Sequence, residues 1–160
     1  MTPSKATNAN AIRADLIAPC GMNCRLCRAY TREKKPCNGC RGDDGDKPKT
    51  RVICRIKTCE VLRQGKSRYC FRCARFPCDA MNHLDERYRT RYGMSMIKNL
   101  LYIKKYGIRR FLCNEQEKWA CPACGQLLCV HKPECLFCGR KRRRVAVLSR
   151  QTKSSARRSE

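Results

Sequence analysis

The clearest hydrophobic periodicity of this chain lies between residues 85 and 119. Ser95 is a residue type that often caps a helix, and apolar side chains follow it with helical spacing at Ile97, Leu100, Leu101 and Ile103. Gly107 stands where a glycine commonly ends a helix, and a second short helix is predicted over residues 109–118. The pattern therefore predicts a helical hairpin over residues 85–119.

The remainder of the chain has no comparable hydrophobic periodicity. Gly, Pro and Asp interrupt residues 16–78, which favours short turns over long regular elements. The sequence predicts a small, metal-stapled α+β fold with an irregular N-terminal cysteine cluster. Its expected segments are a flexible basic arm (1–15), a cysteine-rich metal-binding domain (16–84), the helical hairpin (85–119), a zinc ribbon (120–139) and an Arg-rich tail (140–160).

Sixteen of the 160 residues are cysteines, and most of them occur in close pairs. Two residues between thiols allow one tight turn to direct both sulfurs at one ion. In the N-terminal region the predicted metal ligands are Cys20, Cys24, Cys27, Cys37, Cys40, Cys54, Cys59, Cys70, Cys73 and Cys78. In the C-terminal region they are Cys121, Cys124, Cys135 and Cys138. Two to four Zn²⁺ ions per chain are expected.

The distribution of these ligands among sites stays open in the N-terminal region. One arrangement joins Cys24 and Cys27 to Cys37 and Cys40, and Cys54 and Cys59 to Cys70 and Cys73. This arrangement gives Cys20 and Cys78 no metal site. The alternative is a set of interleaved sites, each with cysteines from different pairs, that includes both residues. Near the C-terminal ribbon, Cys113, Cys129 and His131 are candidates for a further site; Cys129 could equally be a small buried hydrophobe, and His131 is expected to be a surface residue.

A disulfide framework is the alternative to metal at this cysteine content. Residues 1–19 lack the apolar run of a signal peptide, so a reducing cytoplasm is the expected location. Cysteines with this spacing in a reducing compartment indicate metal binding.

The chain is strongly basic, with a formal net charge of +24. Four sites with four thiolates each would still leave about +16, so a polyanion is the expected partner. No stretch reaches the length of a membrane span, and no cationic amphipathic helix is evident. RNA is therefore favoured over a membrane.

Candidate RNA contacts fall in two basic stretches, because Arg binds phosphate and both Arg and Tyr stack on bases. The proposed residues are Arg87, Tyr88, Arg89, Arg91, Arg140, Lys141, Arg142, Arg143, Arg144, Arg150, Arg157 and Arg158. The alternatives are an ordinary solvated helix face for the first stretch and a solvated tail for the second.

Residues 18–84 resemble a prokaryotic cysteine-rich family of unknown function that is frequent in anaerobes and methanogenic archaea. The resemblance rests on Cys-Gly-Met-Asn-Cys-Arg-Leu-Cys at 20–27, Cys-Asn-Gly-Cys at 37–40, Tyr-Cys-Phe-Arg-Cys at 69–73 and Phe-Pro-Cys at 76–78. It implies a cytoplasmic metal-binding domain with no established activity. The helix and ribbon that follow resemble an extension found in some members.

The spacing of Cys20, Cys24 and Cys27 equals the cluster motif of radical S-adenosylmethionine enzymes. Those enzymes commonly have an aromatic residue where this chain has Leu26, and their barrel is longer than the whole chain. Zinc sites filled by four cysteines leave no open position for a substrate, so the sequence favours a protein that is not an enzyme.

Zinc knuckles with a basic tail on a small prokaryotic chain are similar to ribosomal or ribosome-associated proteins. The favoured hypothesis is a structural-zinc protein that contacts ribosomal RNA and neighbouring ribosomal proteins. The alternative is an iron–sulfur redox or sensor protein, because four-cysteine sites bind zinc and iron alike. Zinc is favoured because the ferredoxin run of cysteines is absent.

Overall fold

The structure, a computed structural model, describes residues 10–143. Its α-helices are α1 (Arg28–Thr31), α2 (Lys49–Val52), α3 (Glu60–Gln64), α4 (Asp79–Tyr92), α5 (Met96–Tyr106) and α6 (Ile108–Lys118). Single 3-10 turns occur at Ala14–Leu16, Cys24–Leu26 and Cys70–Arg72.

The strand content is small. Within residues 10–143 the only β-pairing consists of isolated bridges, which join Ile17 to Asn23, Ala120 to Leu127 and Glu134 to Lys141. The expected α+β fold is thus corrected to a small, mostly helical one. The physical reason is that the cysteine-rich segments form tight turns, which are too short to pair as a sheet.

Helix α5 confirms the prediction made from Ser95. The Ser95 hydroxyl accepts a hydrogen bond from the Lys98 amide (3.1 Å), which satisfies one of the unpaired amides of the first turn. Gly107 ends the helix with a φ of +84°, and its amide donates to the Ile103 carbonyl (2.9 Å). Helix α6 follows immediately, so α5 and α6 form the two arms of the hairpin.

Helix α4 is the longest helix described, and it begins six residues before the predicted hairpin. Its buried side chains are Met81, Asp85 and Tyr88. The Asp85 carboxylate accepts from the Ser95 hydroxyl (2.6 Å) and from the Ile97 amide (3.0 Å). A carboxylate at a helix N-terminus is stabilising, so this contact joins α4 to the start of α5.

The first cysteine motif lies directly on α5 and α6. The Asn99 side chain donates to the Gly21 carbonyl (2.9 Å), and a Cβ on Gly21 would lie 2.7 Å from the Met96 carbonyl oxygen. The buried Asn23 amide donates to the buried Glu115 carboxyl (3.2 Å). Glycine at position 21 is therefore required both by its φ of +86° and by this close approach.

The C-terminal cysteine region packs on the same core. The Val130 amide donates to the Leu26 carbonyl (2.9 Å), and the Leu128 amide donates to the Trp119 carbonyl (2.8 Å). Leu127, Leu128 and Val130 are buried in one hydrophobic cluster with the N-terminal residues. Both cysteine regions therefore contribute to a single core. No helix in residues 10–143 has the length and hydrophobicity needed to cross a membrane.

Candidate metal centres

The C-terminal cysteines form a compact four-thiol group. The sulfurs of Cys121 and Cys138 are 3.7 Å apart, those of Cys124 and Cys135 are 3.6 Å apart, and all four lie within 4.8 Å of one another. A tetrahedral zinc ion with Zn–S distances of about 2.3 Å places its sulfurs about 3.8 Å apart. The group therefore has the dimensions of a four-thiolate metal site, which we call the C-terminal centre.

Two similar chain turns build the C-terminal centre. The Gly125 amide donates to the Cys121 carbonyl (2.8 Å), and the Gly139 amide donates to the Cys135 carbonyl (3.0 Å). Both glycines have a positive φ, of +72° and +73°, which turns the backbone back after the second cysteine of each pair. This is why the Cys-x-x-Cys-Gly pattern predicted the group correctly.

Backbone hydrogen bonds make one thiol of the C-terminal centre easier to ionise. The amides of Cys124 and Ala123 donate to the Cys121 sulfur and lower the pKa of that thiol to about 6. The thiolate is the metal-binding form, so Cys121 offers a ligand near neutral pH. A bound cation would favour the other three thiolates in turn.

In the N-terminal region one group of thiols surrounds Cys40. The Cys40 amide donates to the Cys24 sulfur (3.4 Å), and the Cys24 pKa is raised by its contact with the Cys40 thiol and by burial. Burial also raises the pKa values of Cys20 and Cys27, with Cys40 as a further cause in each case. We call Cys20, Cys24, Cys27 and Cys40 the Cys40 group; such buried thiols ionise when a cation compensates them.

A second group lines one small cavity and consists of Cys59, Cys70, Cys73 and Cys78. Burial raises the pKa of Cys70 to about 12, and the neighbouring Cys78 thiol is the next cause. Cys54 lines a different cavity, beside Asp79 and His83. Cys20 and Cys70 each have Cys54 among the further causes of their raised pKa values, so the two groups adjoin and the distribution of these thiols among metal sites stays a prediction. Cys37 is buried.

The additional ligand candidates near the C-terminal centre lie outside it. Cys113 is exposed on α6, and Cys129 is a buried core residue with 1% exposure. His131 is engaged at both ring nitrogens: Nδ1 accepts from the Arg28 amide (3.3 Å), and Nε2 lies 3.0 Å from the Tyr88 hydroxyl. The expectation that His131 is a surface residue is therefore wrong.

The ring of His131 is half-buried against aromatic neighbours. It packs edge-on against Tyr88 and Tyr92, with ring centroids 5.5 and 4.8 Å away. Burial, followed by the charges of Arg51 and Arg28, lowers the His131 pKa to about 4. The imidazole is therefore neutral at pH 7, and it links α4 to the N-terminal segment instead of binding metal.

The RNA-contact candidates of α4 divide into exposed and buried residues. Arg87, Arg89 and Arg91 are exposed. Tyr88 is only 5% exposed, because its ring belongs to the core and its hydroxyl bonds to His131. The prediction that Tyr88 stacks on bases is therefore corrected.

Of the second basic stretch, residues 140–143 fall within the described chain. Arg140, Lys141 and Arg143 are exposed. The Arg142 guanidinium lies 5.0 Å from the centre of the Trp119 ring and donates to the Tyr92 carbonyl (3.2 Å). The candidates Arg144, Arg150, Arg157 and Arg158 lie outside the described residues.

Sequence reasoning missed two features of this region. The first is Lys118, which lines a cavity of about 420 Å³ together with the residues of the second basic stretch. The second is the buried pair of Asn23 and Glu115, whose members are 92 residues apart. Lys118 has no local signal, because its position depends on contacts between distant segments. The one local signal for the second feature is an acidic residue, Glu115, at a buried position of α6.

Comparison with known proteins agrees with the cysteine-rich character of the N-terminal region. No curated protein and no solved structure matches the chain. Residues 16–83 match the sequence model of a family described as protein of unknown function (DUF3795). The matched segment includes the ten N-terminal cysteines, so the chain is similar to this family over its first cysteine region.

Proposed function

We propose that this protein binds RNA through a basic surface that structural zinc sites hold in place, with ribosomal RNA as the expected partner. Its role is binding and not catalysis. The observation that carries the proposal is the cavity of about 420 Å³ beside the C-terminal centre. Its basic lining residues are Lys118, Arg140, Lys141, Arg142 and Arg143, and no acidic side chain lines it.

The electrostatics of this basic cavity favour an anionic ligand. Like charges held on one surface repel one another, and a polyanion that neutralises them also releases its own condensed counterions. The formal charge of +24 supports the same conclusion for the chain as a whole.

The C-terminal centre fixes the position of these basic residues. The Cys135 amide donates to the Arg140 carbonyl (2.9 Å), and the backbones of Glu134 and Lys141 pair in an isolated antiparallel β-bridge. An ion held by four thiolates has no open coordination position, which supports a structural role for it. Loss of the metal would displace the basic residues that follow Cys138.

An exposed aromatic residue in the second turn of the C-terminal centre supports RNA with unpaired bases as the ligand. Phe137 is 63% exposed and its neighbour Leu136 is 47% exposed, between the two cysteines of the second turn. Unpaired bases stack on exposed aromatic rings, whereas those of a duplex are already stacked. Phe137 thus takes the stacking role that the sequence assigned to Tyr88.

The test is RNA binding across a salt series with charge-matched variants. Substituting Arg140, Lys141 and Arg143 together by Ala should reduce the slope of log affinity against log salt by about 2, at about 0.7 per lost contact on single strands. The control replaces Lys98, Lys104 and Arg109 by Ala; these residues are exposed on α5 and α6 and do not line the cavity.

Phe137→Ala separates stacking from charge. It should weaken binding to single-stranded RNA by about 1–3 kcal/mol and leave the salt slope unchanged. Equal effects of the two charge triples would show that the cavity is not the binding surface. Absence of RNA binding at low salt would refute the proposed function.

A further inference from the structure

The side chain of Lys47 lies inside the turn that follows Cys40. It is completely buried, with 0% of the side chain exposed. Its ammonium group donates to the carbonyls of Cys40 (3.4 Å) and Gly42, and to a carboxylate oxygen of Asp44 (2.9 Å). Lysine is rarely buried in this way, because a charged group loses its hydration unless other polar groups replace it. Three oxygens of residues 40–44 therefore form a cation site, which the protein fills with its own lysine.

These hydrogen bonds fix the backbone on both sides of the Cys40 thiol. Lys47 holds the carbonyl of Cys40 itself and that of Gly42. The Gly42 amide donates to the Gly39 carbonyl (3.1 Å), which closes the turn. The Cys40 amide donates to the Cys24 sulfur (3.4 Å). The contact between these two cysteines therefore depends on a turn that Lys47 holds in place.

The charge around this turn is positive. Asp44 is the acidic partner of Lys47, and the Lys57 ammonium group binds the same carboxylate oxygen. Two ammonium groups and one carboxylate leave a net charge of +1. The positive charges of Lys47, Arg51 and Lys57 all act on the Cys40 thiol. A buried cation in excess is costly unless a further negative charge faces it.

A metal ion bound by thiolates supplies such a negative charge. Zn²⁺ with four thiolates carries a net charge of −2, which the cations beside Cys40 would offset. We infer that Lys47 is the positioning residue of a metal site that includes Cys40. It fixes the turn that carries the thiol, and it places a buried positive charge beside the metal–thiolate group. The inference rests on the part of the proposed function that assigns structural metal to the N-terminal thiols, and not on RNA binding.

The first test is competition between the full-length protein and a chelator for Zn²⁺, under reducing conditions without oxygen. Lys47→Met has a side chain of similar length without the charge and the donors. We expect it to weaken the zinc that Cys40→Ser removes by about 10–100-fold, the usual effect of losing a group that orients a metal ligand. The zinc of the C-terminal centre, identified by its loss in Cys124→Ser, should be bound as tightly as before.

Lys57→Met is the matched control, because it removes the same charge from the same Asp44 oxygen. Within residues 10–143 the ammonium group of Lys57 donates to Asp44 alone, and its side chain is 20% exposed. The affinity for zinc should therefore change by no more than about fivefold. Equal losses in the two lysine variants, or an unchanged zinc affinity in Lys47→Met, overturn the inference.

Asp44→Asn separates the effect of charge on the thiolates from a simple role in closing the loop. If the pair of Lys47 and Asp44 only closes the loop, removing either charge weakens the zinc site. If the charge of Lys47 serves the metal–thiolate group, Asp44→Asn leaves a more positive turn, so the zinc affinity should stay the same or rise. A loss of about tenfold or more in Asp44→Asn overturns the inference, also where Lys47→Met does not fold.

The presence of metal at this site is tested separately from RNA binding. Cys40→Ser should contain less zinc per chain than the wild-type protein. An equal zinc content in the two proteins would overturn the inference about Lys47, whereas RNA binding through the basic cavity would be unaffected.

Discussion

The hydrogen bonds of His131 with Tyr88 and Arg28 predict how the stability of the protein depends on pH. Because Nδ1 accepts from the Arg28 amide, the neutral ring carries its proton on Nε2 and donates it to the Tyr88 oxygen. Protonation would replace the acceptor at Nδ1 with a second donor that faces an amide. The perturbation is His131→Asn, which keeps an oxygen near the position of Nδ1 but does not titrate.

The size of the effect follows from the shifted pKa. Folding lowers the His131 pKa from its ordinary 6.5 to about 4, which corresponds to about 3 kcal/mol over the full range. The ring is only half-buried, so solvent screening reduces this to about 2 kcal/mol. The folded pKa of this base is depressed, so its contribution is complete above pH 6.5 and is lost as the pH falls towards 4. About 1 kcal/mol should disappear between pH 7 and pH 5.

Thermal unfolding of the two proteins at each pH measures this difference. The wild-type protein should have the higher midpoint at pH 7, and its advantage over His131→Asn should shrink by about 2–4 °C at pH 5. Comparison at the same pH cancels any loss of metal that both proteins share, which metal analysis of each sample verifies. An advantage that stays constant or grows on acidification would show that His131 is not neutral and hydrogen-bonded in the folded protein.

Three further substitutions test the core and the helix cap, each by thermal unfolding. Burial raises the pKa of Glu115, so Glu115→Gln should gain stability relative to the wild-type protein as the pH rises above 4.5, and a gain that is absent at pH 7 would contradict this. Gly107→Ala has open space around its Cβ and should cost only the strain of its backbone conformation, about 1–3 kcal/mol, whereas Gly21→Ala should cost at least about 2 kcal/mol more because its Cβ would also clash with the Met96 carbonyl; equal costs would refute the clash. Ser95→Ala should cost about 1–2 kcal/mol through loss of the cap and of the bond to Asp85, and a neutral effect would show that the cap is dispensable.

The parts of the fold that could be predicted are those with local signals. Ser95 and Gly107 mark the ends of α5 because capping involves only neighbouring residues. The Cys-x-x-Cys-Gly pattern predicted the C-terminal centre because each pair of thiols is positioned by its own turn. In both cases the contacts that decide the structure lie within a few residues.

The parts that could not be predicted depend on distant contacts. Helix α4 is mostly polar, with few buried positions, so its start at Asp79 has no clear hydrophobic period. The roles of Tyr88 and His131 follow from a contact across 43 residues. The same applies to the N-terminal thiols, since spacing alone does not tell that Cys78 lines a cavity with Cys59 and Cys70 while Cys54 does not.

We expect bound metal to hold this small fold together, because the free energy of metal binding becomes free energy of folding. The most direct test adds a chelator stepwise to the protein purified without oxygen, and follows released metal and helical circular dichroism in the same sample. We predict that helical signal and metal are lost together, and that added metal restores the helices under reducing conditions. Protein that keeps its helical signal and its cooperative thermal unfolding after all metal has been removed would contradict a role for metal in folding.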